Sequence, residues 1–500
     1  MAGTERDGHL WRLTCGVSLG VVLAVSGGVD VSAGEWTIQP SASVEEEFTD
    51  NVNGTTSNND IDSDFITTAT AGLGVHGRGG RTNLSFNYNL SQETHRNDDE
   101  LDGFRHDLLT IGDAEIWEEY VFVDARASIS QEILSSSGTV TADGDRNQGT
   151  NQTQVANYSG SVTFRHGNDG WADSIATYRL SETRFLQTDA GATGATPAPS
   201  RTHEIISTLE SGRRFSVLSW SGTATTSFQY NYGQFQSRTN TLSGSAEYTA
   251  TRWLSLLASA GRDDIKDKNI EDDDNVSGIF WQAGARLQPG PRTQLRLEYG
   301  QRFDDQNFDA DFSYEFSSLT RMSASYSVDI QTQQEALNNS LNNLIIDPDT
   351  GEITDPLGNP VDPNVQAADI IDDTFKTESF ALSLNGNRGR NTFSVSAAFT
   401  RREVGAADGE EGFDKTTTLS GSFSRQLRPN ASLSLSGSAQ VSSPSTQSED
   451  ETTLNATATF NYNFANDLAG SLNYAYLRRF GRTGNGVTEN SVAVRLSKTF

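Results

Sequence analysis

Apolar and polar residues alternate along nearly the whole chain. Typical apolar faces with a two-residue period are Leu84/Phe86/Tyr88/Leu90, Phe308/Ala310/Phe312/Tyr314/Phe316 and Leu454/Ala456/Ala458/Phe460/Tyr462. A period of two places the apolar residues on one face of a β-strand. Many runs are about 9–11 residues long, the length of a tilted strand that crosses a bilayer, whereas soluble strands average about five or six residues. The pattern therefore predicts an all-β protein built from membrane-crossing strands.

The segments between these runs are short and long in turn. Short turns include Arg78–Arg81 and Ala465–Asp467, and long polar segments include Asp50–Asp64 and Ser443–Glu451. Short periplasmic turns and long external loops are typical of outer-membrane barrels. Fitting every run to this scheme predicts a transmembrane antiparallel β-barrel of about 22 strands, within a range of about 18 to 24, with both termini in the periplasm.

The last stretch of the chain, Ser491–Phe500, alternates almost throughout and ends on an aromatic residue. Bacterial outer-membrane barrels are known to close with such a strand, whose final aromatic side chain lies in the interfacial girdle. We therefore predict a membrane-facing closing strand formed by Val492, Val494, Leu496 and Phe500. An edge strand of a soluble sheet that happens to end in Phe is the alternative.

The N-terminus has the features of a secretory leader. An apolar run from Leu13 to Val25 follows two arginines, and Val31-Ser32-Ala33 offers the small side chains that signal peptidase prefers. A transmembrane helix would need about 20 apolar residues, which is more than this run contains. We predict a signal peptide over residues 1–33 and a barrel over residues 34–500. The single cysteine, Cys15, lies in the leader, so we expect no disulfide in the mature protein.

Composition is consistent with a barrel and excludes two other classes. Only 34% of the residues are hydrophobic, against about 45–50% in soluble domains. Disorder is excluded because the chain carries 25 Phe, 13 Tyr and 7 Trp. In a large barrel only alternate residues must be apolar, since the other face meets water. The net charge of −29 argues against nucleic-acid binding, which requires a basic surface.

One long interruption, Gln331–Thr374, separates two groups of strands. Leu337, Leu341 and Leu344 recur there at roughly helical spacing, and a segment rich in Pro, Asp and Gly that contains Asp347 and Asp349 follows them. We expect this loop to fold inward as a partial plug or to cap the pore. A solvated external loop with a short helix is the alternative.

The chain offers no recognisable catalytic or metal-binding motif. We expect His76 and His166 to lie in periplasmic turns and His106 to lie in the lumen, while His95 and His203 flank external loops and have no partner that the sequence identifies. The Asp347/Asp349 segment lacks the acidic twelfth residue of a calcium loop. We therefore predict a non-enzymatic protein with no catalytic residues, cofactor or metal.

The run Glu35-Trp36-Thr37-Ile38-Gln39-Pro40-Ser41, followed by Phe48-Thr49-Asp50-Asn51-Val52, carries a family resemblance. It is similar to the opening of the outer-membrane β-barrels associated with the PEP-CTERM/exosortase system, which are encoded beside exopolysaccharide genes in Gram-negative bacteria. The resemblance implies a barrel through or beside which surface polysaccharide leaves the cell. It implies no catalytic residue.

Residues on the polar face agree with that role. Ser, Thr, Asn and Gln dominate it, as in Thr392/Ser394/Ser396 and Thr453/Asn455/Thr457, while Gln294/Arg296/Glu298 is a charged exception. Such side chains can exchange hydrogen bonds with sugar hydroxyls, whereas an anion pore would show rings of Arg or Lys.

We therefore expect an outer-membrane channel or accessory protein of exopolysaccharide export. The expected partners are outer-membrane lipid and lipopolysaccharide, the barrel-assembly machinery, and the polysaccharide with its export proteins. A general diffusion porin and an adhesive surface barrel with a closed lumen are the alternatives.

Overall fold

The computed structural model of the 500-residue protein describes residues 35–54, 61–133, 141–142, 152–168, 170–186, 198–268, 277–303, 305–346, 353–354, 374–405, 411–445, 450–481 and 486–500. Nearly all of the described residues lie in strands: β1 Glu35–Thr49, β2 Asp64–Arg78, β3 Thr82–His95, β4 Gly103–Trp117, β5 Val121–Ile133, β6 Gln152–Asn168, β7 Ala172–Phe185, β8 Ser200–Ser211, β9 Leu218–Asn231, β10 Gln234–Thr251, β11 Leu254–Asp267, β12 Ser277–Gly290, β13 Thr293–Arg302, β14 Asp305–Ser317, β15 Thr320–Thr332, β16 Ile345–Ile346, β17 Ile353–Thr354, β18 Thr374–Arg388, β19 Asn391–Gly405, β20 Glu411–Arg428, β21 Ala431–Ser443, β22 Glu451–Asn463, β23 Leu468–Phe480 and β24 Val487–Thr499. The one α-helix of the described residues, α1, spans Gln333–Asn343. No helix in this part of the chain is both long and apolar enough to cross a membrane.

All strands except the short β16–β17 hairpin form one antiparallel sheet of 22 strands. Each strand pairs with its neighbours in sequence, and β15 pairs with β18 across the long loop. The sheet closes because Ser41–Thr49 of β1 pairs with Ser491–Thr499 of β24. The backbone N–H of Phe500 adds a hydrogen bond of 2.8 Å to the carbonyl of Pro40. The predicted barrel and its strand number are confirmed.

The two ends of the barrel differ, and we name them by their connections. The turn end carries the short turns, the start of β1 and the end of β24, whereas the loop end carries the long connections. Two loop-end connections are tight hairpins, between β9 and β10 and between β13 and β14. The alternation of short and long connections in the sequence did not separate the strands at either place. Tyr232 and Gly233 form the first of these with φ of 49° and 76°, as a two-residue hairpin with a type I′ turn requires.

Alternation along the strands gives the barrel an apolar outer face and a polar lumenal face. Val492, Val494, Leu496 and Phe500 all point outward and are 42%, 58%, 52% and 70% exposed, as apolar residues in contact with lipid would be. Aromatic residues collect on this face at the turn end, where Phe215 packs edge-on against both Trp171 and Trp220, with ring centroids 5.9 and 6.0 Å apart. Trp36, Trp117 and Trp253 lie at the same end, as in an interfacial girdle.

Candidate functional site in the barrel lumen

Hydroxyl side chains cover one arc of the lumen, which we call the hydroxyl wall and define as the inward Ser and Thr residues of β15 and β18–β22. The ion pair between Arg402 and Asp414 lies beyond them, towards the loop end. A row of directly opposite residues crosses it in register: Ser323, Ser383, Ser396, Ser420, Ser438 and Asn455. Residues directly opposite each other in neighbouring strands lie on the same face of the sheet. The row therefore forms a continuous polar band from β15 to β22.

Neighbouring hydroxyl groups of this band hydrogen-bond to each other across the strands. The Oγ atoms of Ser323 and Ser383 lie 2.8 Å apart, and those of Ser396 and Ser420 lie 2.6 Å apart. A second set lies nearer the turn end: Ser394–Ser422, Ser424–Ser434 and Ser436–Thr457, at 2.7, 3.0 and 2.9 Å. A hydroxyl group has one donor and two acceptor sites, so each side chain retains capacity for a further hydrogen bond.

A second arc, which we call the charged wall, consists of the inward residues of β10–β14. Here the contacts are ion pairs. Arg286 Nη1 lies 2.6 Å from the Glu247 carboxylate, and Arg296 Nη2 lies 2.6 Å from that of Glu298. Arg302 contacts both oxygens of the buried Asp263, at 2.9 and 3.2 Å. Each of these three arginines thus has an acidic partner on its own strand or on another strand of the wall, whereas Asp309 accepts, among the described residues, only from the side-chain amides of Gln282 and Asn307.

Helix α1 leaves the loop end of β15 and lies inside the barrel. Leu341 and Leu344 are buried against Ile111 of β4, with Leu109 and Ile353 beside them. Ile111 faces the lumen, because it is directly opposite the inward residue Arg126. Ile111 and Leu109 are thus two apolar residues on the otherwise polar lumenal face of β4, and they form the surface on which the helix docks.

Arg126 of β5 fastens the end of this helix. Its Nη1 donates to the carbonyls of Leu341, Asn342 and Leu344, at 3.2, 2.7 and 2.6 Å. The last carbonyls of a helix have no partner within the helix, and they form the negative end of its dipole. Asp124 holds the guanidinium from the other side, with its Oδ1 2.9 Å from Nε. Arg126 therefore supplies both the hydrogen bonds and the charge that the helix end lacks.

The loop-end half of the β5–β6 hairpin also bends into the lumen. The ladder between β4 and β5 stops at Leu108 and Ile129, although both strands continue beyond it. Val155 and Ala156 of β6 point to opposite faces, yet both are fully buried. The side-chain amide of Gln154 replaces the missing ladder: its Nε2 donates to the Phe104 carbonyl at 3.0 Å, and its Oε1 accepts from the His106 N–H at 3.2 Å.

Residues 141–142, in the connection that follows β5, lie against the lumenal face of β23 and β24. Ala142 packs on Leu477 and Val487, and its N–H donates to Glu489 Oε2 at 2.8 Å. The other carboxylate oxygen of Glu489 accepts from the Thr49 hydroxyl at 2.7 Å, and the side chain is fully buried. Three elements thus narrow the loop-end half of the lumen: α1, the bent β5–β6 hairpin and residues 141–142.

The predicted loop residues divide between described and undescribed parts of the chain. Leu341 and Leu344 are the buried contacts of α1, and Leu337 is half-buried on the same helix. Asp347 and Asp349 lie outside the described residues. Sequence reasoning did not identify Arg126, Gln154 or Glu489, although the apolar pair in the polar face of β4 was a visible signal for a docked element.

Two of the described histidine residues lie on the outer face of the barrel, each beside a tyrosine. The expectation that His106 lies in the lumen was wrong: it points outward, and its Nδ1 lies 2.8 Å from the Tyr88 hydroxyl. His203 is in an equivalent outward contact with Tyr178, also at 2.8 Å. Among the described residues, no group of three or more His, Cys, Asp or Glu side chains is placed to hold a metal ion.

Comparisons with known proteins bear on the fold. No family model matches the sequence, and no curated protein matches it. Solved structures do match. The FrpB iron transporter from Neisseria meningitidis is 11% identical with a TM-score of 0.51, over 95% of this chain and 82% of that one. The ferric-catecholate import receptor Fiu from E. coli K12 is 10% identical with a TM-score of 0.50, over 94% and 82%. The chain has the fold of a Gram-negative outer-membrane β-barrel.

Proposed function

We propose that the protein is a non-enzymatic outer-membrane channel for polyhydroxylated chains and that it serves exopolysaccharide export. The hydroxyl wall carries this proposal. Its side chains donate and accept hydrogen bonds but carry little charge, so a sugar polymer can exchange one hydroxyl partner for the next as it advances. A fixed ring of unpaired cations would hold a charged substrate instead.

The ends of the barrel give the proposed orientation. Short turns lie in the periplasm and long loops outside the cell in outer-membrane barrels, so the turn end is the entrance and the loop end is the exit. Helix α1 then stands at the exit side. Its exposed residues Ser340 and Asn343 offer hydroxyl and amide groups to a passing chain. The helix that narrows the lumen thus presents the same kinds of polar group as the hydroxyl wall.

A general diffusion porin is the second candidate, and the charged wall favours it. Ion pairs that project into water, such as Arg296 with Asp311, orient small polar solutes and ions in a pore. The two candidates differ in what should block the channel. A polymer that uses the lumen blocks ion current, whereas a porin passes small solutes according to size.

Ion conductance in a planar bilayer tests the proposal, with polysaccharide from the source cell as the blocker. We expect a steady conductance that the polysaccharide blocks. In the double variant Ser396→Ala/Ser420→Ala, block should weaken about three- to tenfold, since a net hydrogen bond contributes about 0.5–1.5 kcal/mol. Thr417→Ala, on the outward face of β20, is the matched control. The polysaccharide should block this variant as strongly as it blocks the unaltered protein.

The other outcomes of this experiment distinguish between the alternative functions. Conductance without block, with flux that depends on solute size, would establish the porin and refute export. An absence of conductance, even after deletion of α1, would refute both channel proposals and favour a closed surface barrel whose acidic loops make its contacts.

A further inference from the structure

An arginine without a side-chain partner among the described residues projects from the apolar outer face of β11. Arg262 points outward, and its directly opposite neighbours are Leu242 on β10 and Ile279 on β12. These two side chains are 64% and 80% exposed, and the exposed Trp281 lies one level closer to the turn end. Arg262 is itself exposed and has no hydrogen bond or ion pair in the described part of the chain. A guanidinium group in such apolar surroundings is unfavourable unless an anion meets it.

Two further cations lie above it, towards the loop end. Arg238 and Lys266 are directly opposite each other on β10 and β11, and both side chains point outward. Like charges in directly opposite positions destabilise a sheet. Asp264 offsets only part of this repulsion: its carboxylate binds Arg238 at 3.0 Å and also accepts from Asn240 and Ser277. Lys266 is exposed and makes no hydrogen bond or salt bridge within the described residues, although it attracts the Asp264 carboxylate electrostatically.

The two observations define one surface, which we call the basic face. It consists of Arg262, which lies level with the apolar platform of Leu242, Ile279 and Trp281, and of Arg238 and Lys266, which lie above that platform. Among the described residues this surface carries three cations and one acid, which makes it positive on a protein whose net charge is −29. A ligand that satisfies this surface must be an anion with an attached hydrocarbon part. A soluble sugar polymer would leave the platform uncovered, and a free phosphate ion would not reach Arg262 among apolar side chains.

We propose that the basic face binds the phosphate group of a phosphorylated lipid in the outer leaflet of the membrane. The guanidinium groups of Arg262 and Arg238 hydrogen-bond the phosphate oxygens in the forked geometry that arginine offers. Lys266 adds a third cation at headgroup level, and the acyl chains lie on Leu242, Ile279 and Trp281. This site is on the outside of the barrel and does not depend on what the lumen carries.

The chain offers a matched control surface. Arg401 and Lys415 are also directly opposite each other and outward, on β19 and β20. There, however, Arg401 has its own partners: Glu378 lies 3.0 Å away, and the Phe413 ring lies 3.9 Å from the guanidinium carbon. Substitution of this pair removes the same two charges from the outer surface without removing an unpaired arginine.

Lipid titration of the purified full-length protein in nanodiscs of neutral phospholipid tests the proposal. Bisphosphorylated lipid A is the probe, and retention is measured by native mass spectrometry. We expect Arg262→Gln/Lys266→Gln to weaken binding at least tenfold and Arg401→Gln/Lys415→Gln to change it less than twofold. Dephosphorylated lipid A should bind the unaltered protein at least tenfold more weakly, and millimolar inorganic phosphate should not compete.

Equal affinity of the first double variant and the unaltered protein would overturn the proposal. So would equal binding of the phosphorylated and dephosphorylated lipids, a comparison that needs no variant. Competition by inorganic phosphate would contradict the lipid part of the site. If the double variant does not refold, Lys266→Gln alone, which lies outside the apolar platform, should still weaken binding at least threefold.

Discussion

The hydroxyl wall and the charged wall belong to the same sheet, alternate with the same period and face the same lumen, yet their inward residues interact differently. On β18–β22 neighbouring hydroxyl groups bond to each other, as Ser396 does to Ser420. On β10–β14 the contacts join full charges, as between Arg302 and Asp263. Both sets satisfy the polar groups of a wet face, but only the first can change partners at low cost, because removal of one member of an ion pair leaves a charge without its partner.

Breaking an ion pair of the charged wall should have the largest effect. Arg302→Met leaves Asp263, which is only 2% exposed, without its cation. We expect unfolding in lipid vesicles to become easier by about 3 kcal/mol, at the lower end of the range for buried pairs because Arg302 is partly exposed. Urea titration followed by tryptophan fluorescence measures it.

The control for that variant removes both charges. Arg302→Met/Asp263→Leu should recover most of the lost stability, since the buried carboxylate at position 263 is no longer present without its cation. If the double variant were as unstable as the single one, the ion pair would not be the reason for the loss.

The docking of α1 should give the next largest effect. Arg126→Met removes the hydrogen bonds to Leu341, Asn342 and Leu344, and we expect a loss of about 1–3 kcal/mol in docking free energy. The helix should then leave the lumen and expose more of the hydroxyl wall, so single-channel conductance should rise several-fold.

Arg179→Met is the matched control for this change. Arg179 also faces the lumen and pairs with Glu204 at 2.8 Å, but it has no contact with the helix. An equal rise in conductance in both variants would mean that charge removal, and not release of α1, widened the pore.

The smallest effect should come from the hydroxyl wall itself. Ser396→Ala/Ser420→Ala removes both partners of one hydrogen bond, so no group is left unsatisfied and the free energy of unfolding should change by less than about 1 kcal/mol. The same urea titration measures it. A loss as large as that of Arg302→Met would show that the two walls do not differ in the way their contacts imply.

Local pattern was sufficient to predict much of this fold. Alternation in the sequence assigned the outward residues of β24, such as Val492 and Leu496, because the face of each strand follows from its period of two. The alternation of short and long connections led to the strand number. The tight hairpins at Tyr232 and Phe303 were not predicted, because a short connection at the loop end breaks the alternation of short and long connections.

Long-range partners could not be predicted in the same way. Arg126 and the carbonyl of Leu341 are 215 positions apart, and their meeting depends on the register of every strand between them. Gln154 looks like one more outward polar residue in β6, and its role arises only because the β4–β5 ladder ends early. Contacts of this kind are properties of the closed barrel and not of any segment.

The joint between β1 and β24 has a consequence for the order of assembly. β1 pairs with β2 along its whole length, but it meets β24 only over Ser41–Thr49. That joint has the shorter ladder, and it connects residues from opposite ends of the polypeptide, so loop-closure entropy delays its formation. Each of the other neighbouring pairs is joined by a far shorter piece of chain. The first and last strands should therefore meet last as the protein folds.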